Sequence, residues 1–148
     1  MSDHGQEFYE HGYYGHNSAY DMQQARCTFI FKDQNETKPE VVHHMTSHLD
    51  VVPTLMKRLG VTNPYSDYSH GENLFDKNYK RGCSFVGNWN ENAIICKDNT
   101  FIISDIVTKA FDNQIRDTKS YKPVKLKDKS ELNRVLMESL KQNSRFSH

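Results

Sequence analysis

The sequence has no long apolar run. Nothing in it approaches the roughly 20 consecutive apolar residues that cross a bilayer, and mean hydropathy is −0.83. No apolar leader is read either: Met1 is followed at once by Ser2-Asp3-His4-Gly5, without a basic stretch or a hydrophobic segment. Net charge is missing too. Nineteen basic and nineteen acidic residues cancel, which removes global attraction to nucleic acid, so no nucleic-acid partner is expected. Cysteine is scarce. Cys27, Cys83 and Cys96 are odd in number and show no Cys-x-x-Cys spacing, which argues against a disulfide framework and against a zinc finger. Hydrophobic residues make up 36% of 148, below the share usual for a globular domain even with seven glycines added. The core is lean. Aromatics at 11% and charges at 26% nonetheless exclude a low-complexity chain.

What charge there is clusters. Residues 1–50 hold eight acids and three bases. Residues 116–129 hold six bases and two acids, a stretch that reads as a solvated linker or as a surface for phosphate or anionic lipid headgroups.

Along the chain, residues 1–25 show neither helical nor strand period and read as a loop. Arg26 to Lys32 is a compact apolar run, which predicts a strand buried on both faces. Val41 and Val42 are read as the start of a short second strand. Leu49, Val52, Leu55, Met56 and Leu59 recur at helical steps and predict a core helix. Ser47 or Asp50 suits its start, Pro53 its first turn and Gly60 its C′ position. The runs 84–86, 93–96 and 101–103, separated by turn residues, predict an antiparallel meander. A last helix is expected over residues 131–142, capped by Ser130, with Leu132, Val135, Leu136 and Leu140 on one face.

The densest chemistry lies in the first 17 residues. Asp3 and His4 set a hard oxygen ligand beside an imidazole, and Gly5 permits the turn that would aim both at one ion. His16 follows a glycine-punctuated loop and is placed to return to the same site. Such a mixed donor set suits zinc or manganese better than calcium, which prefers all-oxygen shells. A polar loop with no ligand is the other reading of this composition.

Ser2-Asp3-His4-Gly5, followed by Gly15-His16-Asn17, resembles the last metal-binding segment of the sulfatase branch of the alkaline phosphatase superfamily. The segment Ser47-His48-Leu49-Asp50-Val51-Val52-Pro53-Thr54-Leu55, continuing through Leu59-Gly60-Val61 to Gly71-Glu72-Asn73-Leu74-Phe75, is similar to a second signature of that family. The remainder looks most like the C-terminal end of membrane-anchored sulfatase-like proteins of Gram-negative inner membranes.

The resemblance implies an α/β fold: residues 1–75 as the C-terminal part of a sulfatase-like catalytic domain, residues 76–148 as a small antiparallel sheet with a terminal helix. It implies that Asp3 and His4 ligate a divalent metal ion (zinc, manganese, magnesium or calcium) and that His16 contacts the anion or protonates the leaving group. The substrate class is a sulfate or phosphate ester, lipid-linked esters included. The implied site is the periplasmic face of the inner membrane. No residue here matches the family's nucleophile or its upstream metal-binding acid. The expectation is therefore the last third of such a hydrolase or transferase, inactive without the N-terminal portion of the same fold. A module of the same fold that binds lipid headgroups without catalysis is the alternative.

Overall fold

A computed structural model describes residues 1–34, 38–88, 91–104, 114–125 and 130–145. Its elements in chain order are β1 (Glu7–Phe8), β2 (Tyr14–Gly15), α1 (Met22–Ala25), α2 (Val51–Arg58), β3 (Cys83–Gly87), β4 (Glu91–Cys96), β5 (Asn99–Ser104), β6 (Gln114–Asp117) and α3 (Ser130–Ser144). Short 3-10 turns occupy His48–Asp50 and Tyr65–Asp67. The class is mixed α/β with antiparallel sheets. The chain divides into two compact units, residues 1–43 with 86–127 and residues 44–85 with 128–148.

In the first unit the meander forms as its apolar runs dictate. The strand order is β3-β4-β5-β6. Antiparallel register pairs Ala93 with Ile102, Ile94 with Phe101 and Phe101 with Ile115. Residues 93–96 of β4 are all buried, so this strand is covered on both faces, as a continuous apolar run requires. Tyr20 and Tyr121 pack on Ala93 and Ile102, with Tyr13, Ala19 and Val86 around them. The N-terminal segment is thereby fixed to the sheet. Tyr20 N–H donates to the Tyr121 hydroxyl at 2.8 Å, and the Tyr20 hydroxyl donates to the Glu91 carbonyl at 2.8 Å.

Five sequence expectations are corrected here. Residues 1–25 are not a plain loop: Glu7 pairs with Gly15 and Phe8 with Tyr14 in a small hairpin, and α1 follows. Residues 26–32 form no strand; they run beside the N-terminus through a mutual pair of contacts between Ser2 and Thr28, and Ile30 is 82% exposed. Val41 and Val42 are likewise exposed and lie in no strand. Cys83 and Cys96 are disulfide-bonded, and Cys27 is the free thiol. The basic stretch is in part β6, which the polar residues of Gln114–Asp117 concealed. Its Lys127 and Lys129 lie outside the described residues.

The second unit is organised by a buried charge. Ser47 and Asp50 form a capping box at the start of the α2 region, and Gly60 takes the left-handed conformation (φ 85°) expected after its end. Leu49, Val52, Leu55 and Met56 are more than a third exposed and Leu59 more so, while Pro53 and Thr54 are buried. The expected core helix thus presents its apolar stripe outward and packs through its polar side. The reason is Asp50. Its fully buried carboxylate accepts from Arg81 Nη2 at 2.6 Å, Arg81 Nε at 3.1 Å, the Tyr79 hydroxyl at 2.7 Å, Ser47 N–H at 2.7 Å and Glu72 N–H at 2.8 Å. Thr54 adds a bridge, donating to the Asp50 carbonyl at 2.6 Å and accepting from Leu74 N–H at 3.0 Å. Val135 of α3 is buried, as its helical position predicts, and Leu140 is exposed.

Removing one partner of a buried, hydrogen-bonded ion pair leaves the other desolvated, at a cost of about 3–5 kcal/mol. Asp50→Ala should therefore lose about that much stability in urea unfolding at neutral pH. The double variant Asp50→Ala/Arg81→Ala should lose less than the two single losses added. Equal loss in the double variant and the sum would show that the pair is not coupled.

Candidate functional site

The first 21 residues hold two neighbouring clusters, and only one follows the sequence expectation. Asp3, His4 and His16 come together on the surface. The His4 and His16 rings stack with centroids 4.2 Å apart, and Asp3 Oδ2 lies 3.7 Å from His4 Nε2. Hydrogen bonds from backbone N–H groups and the adjacent His4 hold the Asp3 carboxyl below its ordinary range. His4 Nδ1 is 2.8 Å from the Gly5 carbonyl, and His16 Nδ1 is 3.1 Å from Gln6 Oε1. An acceptor beside Nδ1 holds each ring in place, and His4 Nε2 faces the Asp3 carboxylate. This is how ligating histidines are commonly oriented by an outer partner. Asp3 and the two imidazoles thus lie side by side at the surface, without three ligand atoms within 4.8 Å of one another.

Gly5 is needed for a reason other than turning. A Cβ there would overlap the Gln23 carbonyl oxygen. Its N–H instead donates to the Gln24 carbonyl at 2.8 Å, which fixes the segment after His4 against α1. The Cys27 thiol donates to the Asp3 carbonyl at 3.2 Å, and burial followed by the Asp3 charge pushes its pKa up. It is a protonated neighbour of the site.

The second cluster was not visible in the sequence. Glu7, His11 and Asp21 place one ligand atom each within 4.8 Å of one another and could hold a metal ion. Among the described residues no other group of three meets that spacing, so Asp3, His4 and His16 are the looser set. Glu7 and Asp21 are fully buried acids in a chain segment that reads as a polar loop. Only their place in the hairpin and at the α1 N-cap explains them. Glu7 Oε1 accepts from His11 N–H at 2.7 Å and Tyr13 N–H at 3.1 Å, closing the hairpin loop. Asp21 Oδ1 accepts from Gln23 and Gln24 N–H at 2.8 and 2.9 Å. The Gln24 amide donates to both acids, and its oxygen accepts from Ser18 and Ala19 N–H. One side chain thereby ties the hairpin, the chain after His16 and α1 together.

Two carboxylates at this distance do not both ionise freely. Burial first, and then the hydrogen bond and charge of Glu7, raise Asp21 to about 6. Burial also acts to raise Glu7, but the hydrogen bonds from Asp21, His11, Tyr13 and Gln24 outweigh it and bring Glu7 to about 2. Of the two acids Asp21 is the one that holds its proton to higher pH, and Glu7 is the one that ionises first.

No protein-family model matches the chain, and no curated protein matches it.

The signs of the two shifts oppose each other. Asp21, raised from 3.8 to about 6, contributes stability that is full below its unfolded value and is lost as pH rises through 6. Glu7, lowered from 4.5 to about 2, contributes stability present above 4.5 and lost as pH falls toward 2. Carboxyl-carbon NMR should accordingly find one carboxylate titrating near pH 6. In Glu7→Gln that titration should move down toward the ordinary carboxylate range. An unmoved titration in the variant would assign the shift to burial alone.

Proposed function

We propose that Asp3, His4 and His16 form the metal- and anion-binding segment of a sulfatase-like hydrolase or transferase acting on sulfate or phosphate esters. One observation carries this reading. Two stacked imidazoles, each with an acceptor beside Nδ1, lie next to an exposed carboxylate. A polar loop with no ligand gives no reason for two histidines ten or more residues apart to be oriented alike.

In this reading Asp3 and His4 hold the ion, and a bound divalent cation would supply Lewis-acid stabilisation of charge on ester oxygens. His16 faces the same site with a side-chain nitrogen able to hold or release a proton at the leaving oxygen. Gln6 fixes the ring of His16, and the Gly5 carbonyl fixes that of His4. In this reading none of the described residues is assigned the nucleophile's role. The outward apolar stripe of α2, bordered by His48, Tyr68 and His70, is what a helix that packs on a further layer presents. The disulfide state of Cys83 and Cys96 suits an oxidising compartment such as the periplasm. No helix among the described residues is long and apolar enough to cross a membrane.

Zinc or manganese titration of the chain tests the site. His4→Ala and His16→Ala should each weaken binding at least tenfold, since even outer-shell changes at metal sites cost about 10–100-fold. His11→Ala should leave affinity unchanged. Equal affinities for wild type and His4→Ala, or loss confined to His11→Ala, would move the ion away from Asp3 and sink the reading. Purified residues 1–148 alone should not turn over aryl sulfates or phosphodiesters above background, because no residue here fills the nucleophile's role.

A further inference from the structure

Glu7, His11 and Asp21 reach one point from three places in the chain: β1, the hairpin loop and the N-cap of α1. Both carboxylates are fully enclosed. Buried charges are ordinarily paired with an opposite charge or bound to a metal ion. Among the described residues no lysine or arginine pairs with either acid. Their ionic neighbour is His11, whose Nδ1 lies 4.0 Å from Asp21 Oδ2, beyond hydrogen-bond reach. That Nδ1 is itself buried without a hydrogen-bond partner among the described residues. The ring is held beside Tyr121, with centroids 6.1 Å apart, so the unmet nitrogen is turned toward the acid. Such an exception calls for an explanation.

The hydrogen bonds divide the carboxylate oxygens unequally. Glu7 Oε1 and Asp21 Oδ1 each accept two backbone N–H groups. Glu7 Oε2 and Asp21 Oδ2 share a single donor, the Gln24 amide, at 3.1 and 3.4 Å. The bonds that close the loop and cap the helix thus occupy one oxygen of each acid. The other oxygen of each is held only by that amide. Around one zinc ion, ligand atoms at about 2.0–2.2 Å from the metal stand roughly 3.5 Å from one another. Here the three lie within 4.8 Å, so a small closing movement brings them to one ion. Two carboxylates and an imidazole suit zinc or manganese, whereas calcium takes about six to eight oxygens.

We propose that Glu7 Oε2, His11 Nδ1 and Asp21 Oδ2 bind a structural divalent ion of the zinc class, which clamps the hairpin to α1. The Gln24 amide gives up its contacts with the acids and keeps those with Ser18 and Ala19. Ion and backbone N–H groups draw on the same two carboxylates, and this competition makes the site weaker than one built of uncommitted ligands. The ion braces the segment that leads into His16 and takes no part in chemistry. The inference does not rest on the assignment of Asp3, His4 and His16.

The test uses the full chain carrying His4→Ala and His16→Ala, which removes the surface set. Zinc chloride is titrated by calorimetry, and the His11 ring nitrogens are followed by NMR. One ion per chain is expected, with the Nδ1 resonance moving and Nε2 keeping its proton. Melting temperature should rise by about 5–10 °C at a hundredfold excess of zinc over Kd. Calcium at equal concentration should leave the His11 resonances unmoved. Asp21→Asn, added to this background, is the decisive variant, because asparagine still caps α1 but lacks the anionic oxygen. It should weaken zinc binding about tenfold or more, with retained amide shift dispersion showing that it is folded. No saturable binding in the double variant, unmoved His11 nitrogens, or unchanged affinity in folded Asp21→Asn would overturn the proposal. Binding by the wild-type chain that vanishes in the double variant assigns the ion to the surface set alone and overturns only this inference. Undiminished wild-type affinity in His4→Ala, with binding that Asp21→Asn weakens, supports this inference and overturns only the earlier reading.

Discussion

The N-terminal segment depends on one buried carboxylate. Glu7 is fully enclosed in a stretch with almost no apolar periodicity, so hydrophobic burial alone gives residues 1–25 little reason to fold. A desolvated carboxylate must be met by donors, and few geometries supply them. The hairpin loop brings the N–H groups of His11 and Tyr13, and Gln24 brings an amide from α1. Once Gln24 is committed to Glu7, its oxygen is turned toward Ser18 and Ala19, and the chain leaving His16 is fixed as well. The surface histidines are therefore positioned by an interior acid that touches neither ring in any recorded contact. Networks of this kind confer a unique arrangement when every member is satisfied, and they fail as a whole when one is not.

Two tyrosines extend that order to the sheet. Tyr20 and Tyr121 contribute ring area to the cluster with Ala93 and Ile102, and each also uses its polar end. An aliphatic residue at either position would fill the space but leave Tyr20 N–H or the Glu91 carbonyl with one partner fewer. The lean apolar content of the chain is thus offset by side chains that bury area and make hydrogen bonds together. In the second unit Asp50 has the same role, with Arg81 and Tyr79 in place of tyrosine rings and a glutamine amide.

These constraints decide which parts of the fold could be read from residue type. The meander was legible because Ala93 to Cys96 and Phe101 to Ile103 are apolar runs separated by turn residues. The capping box at Ser47 and the left-handed Gly60 were legible for a similar reason, since short-range chemistry alone dictates them. The hairpin, β6 and the buried acids were not, because polar residues build them and their burial depends on partners distant in sequence. Arg26 to Lys32 and the α2 stripe mislead in the opposite direction. Apolar pattern reports which side chains gain from burial, not whether a surface is there to bury them. In α2 the position was taken by Asp50, Pro53 and Thr54, whose hydrogen bonds and packing hold the other side of the helix inward. At the site, the gathering of Asp3, His4 and His16 was readable in residue type and order. The Nδ1 partners that orient the two rings were not.

The closeness of Glu7, His11 and Asp21 makes them the tighter set of ligand atoms, yet their chemistry suits a structural role better. Glu7 and Asp21 already accept from backbone N–H groups that close a loop and cap a helix. An ion there would compete with the hydrogen bonds that create the cluster. Asp3, His4 and His16 present the opposite balance. Both rings and the exposed Asp3 carboxylate lie at the surface with few internal hydrogen bonds, so binding an ion would not dismantle the loop. A working site needs ligands that are oriented but uncommitted, whereas a structural site needs ligands that are consumed by the fold. On the reading proposed above the surface histidines are the site, while in the inner cluster His11 Nδ1 is buried without a hydrogen-bond partner among the described residues.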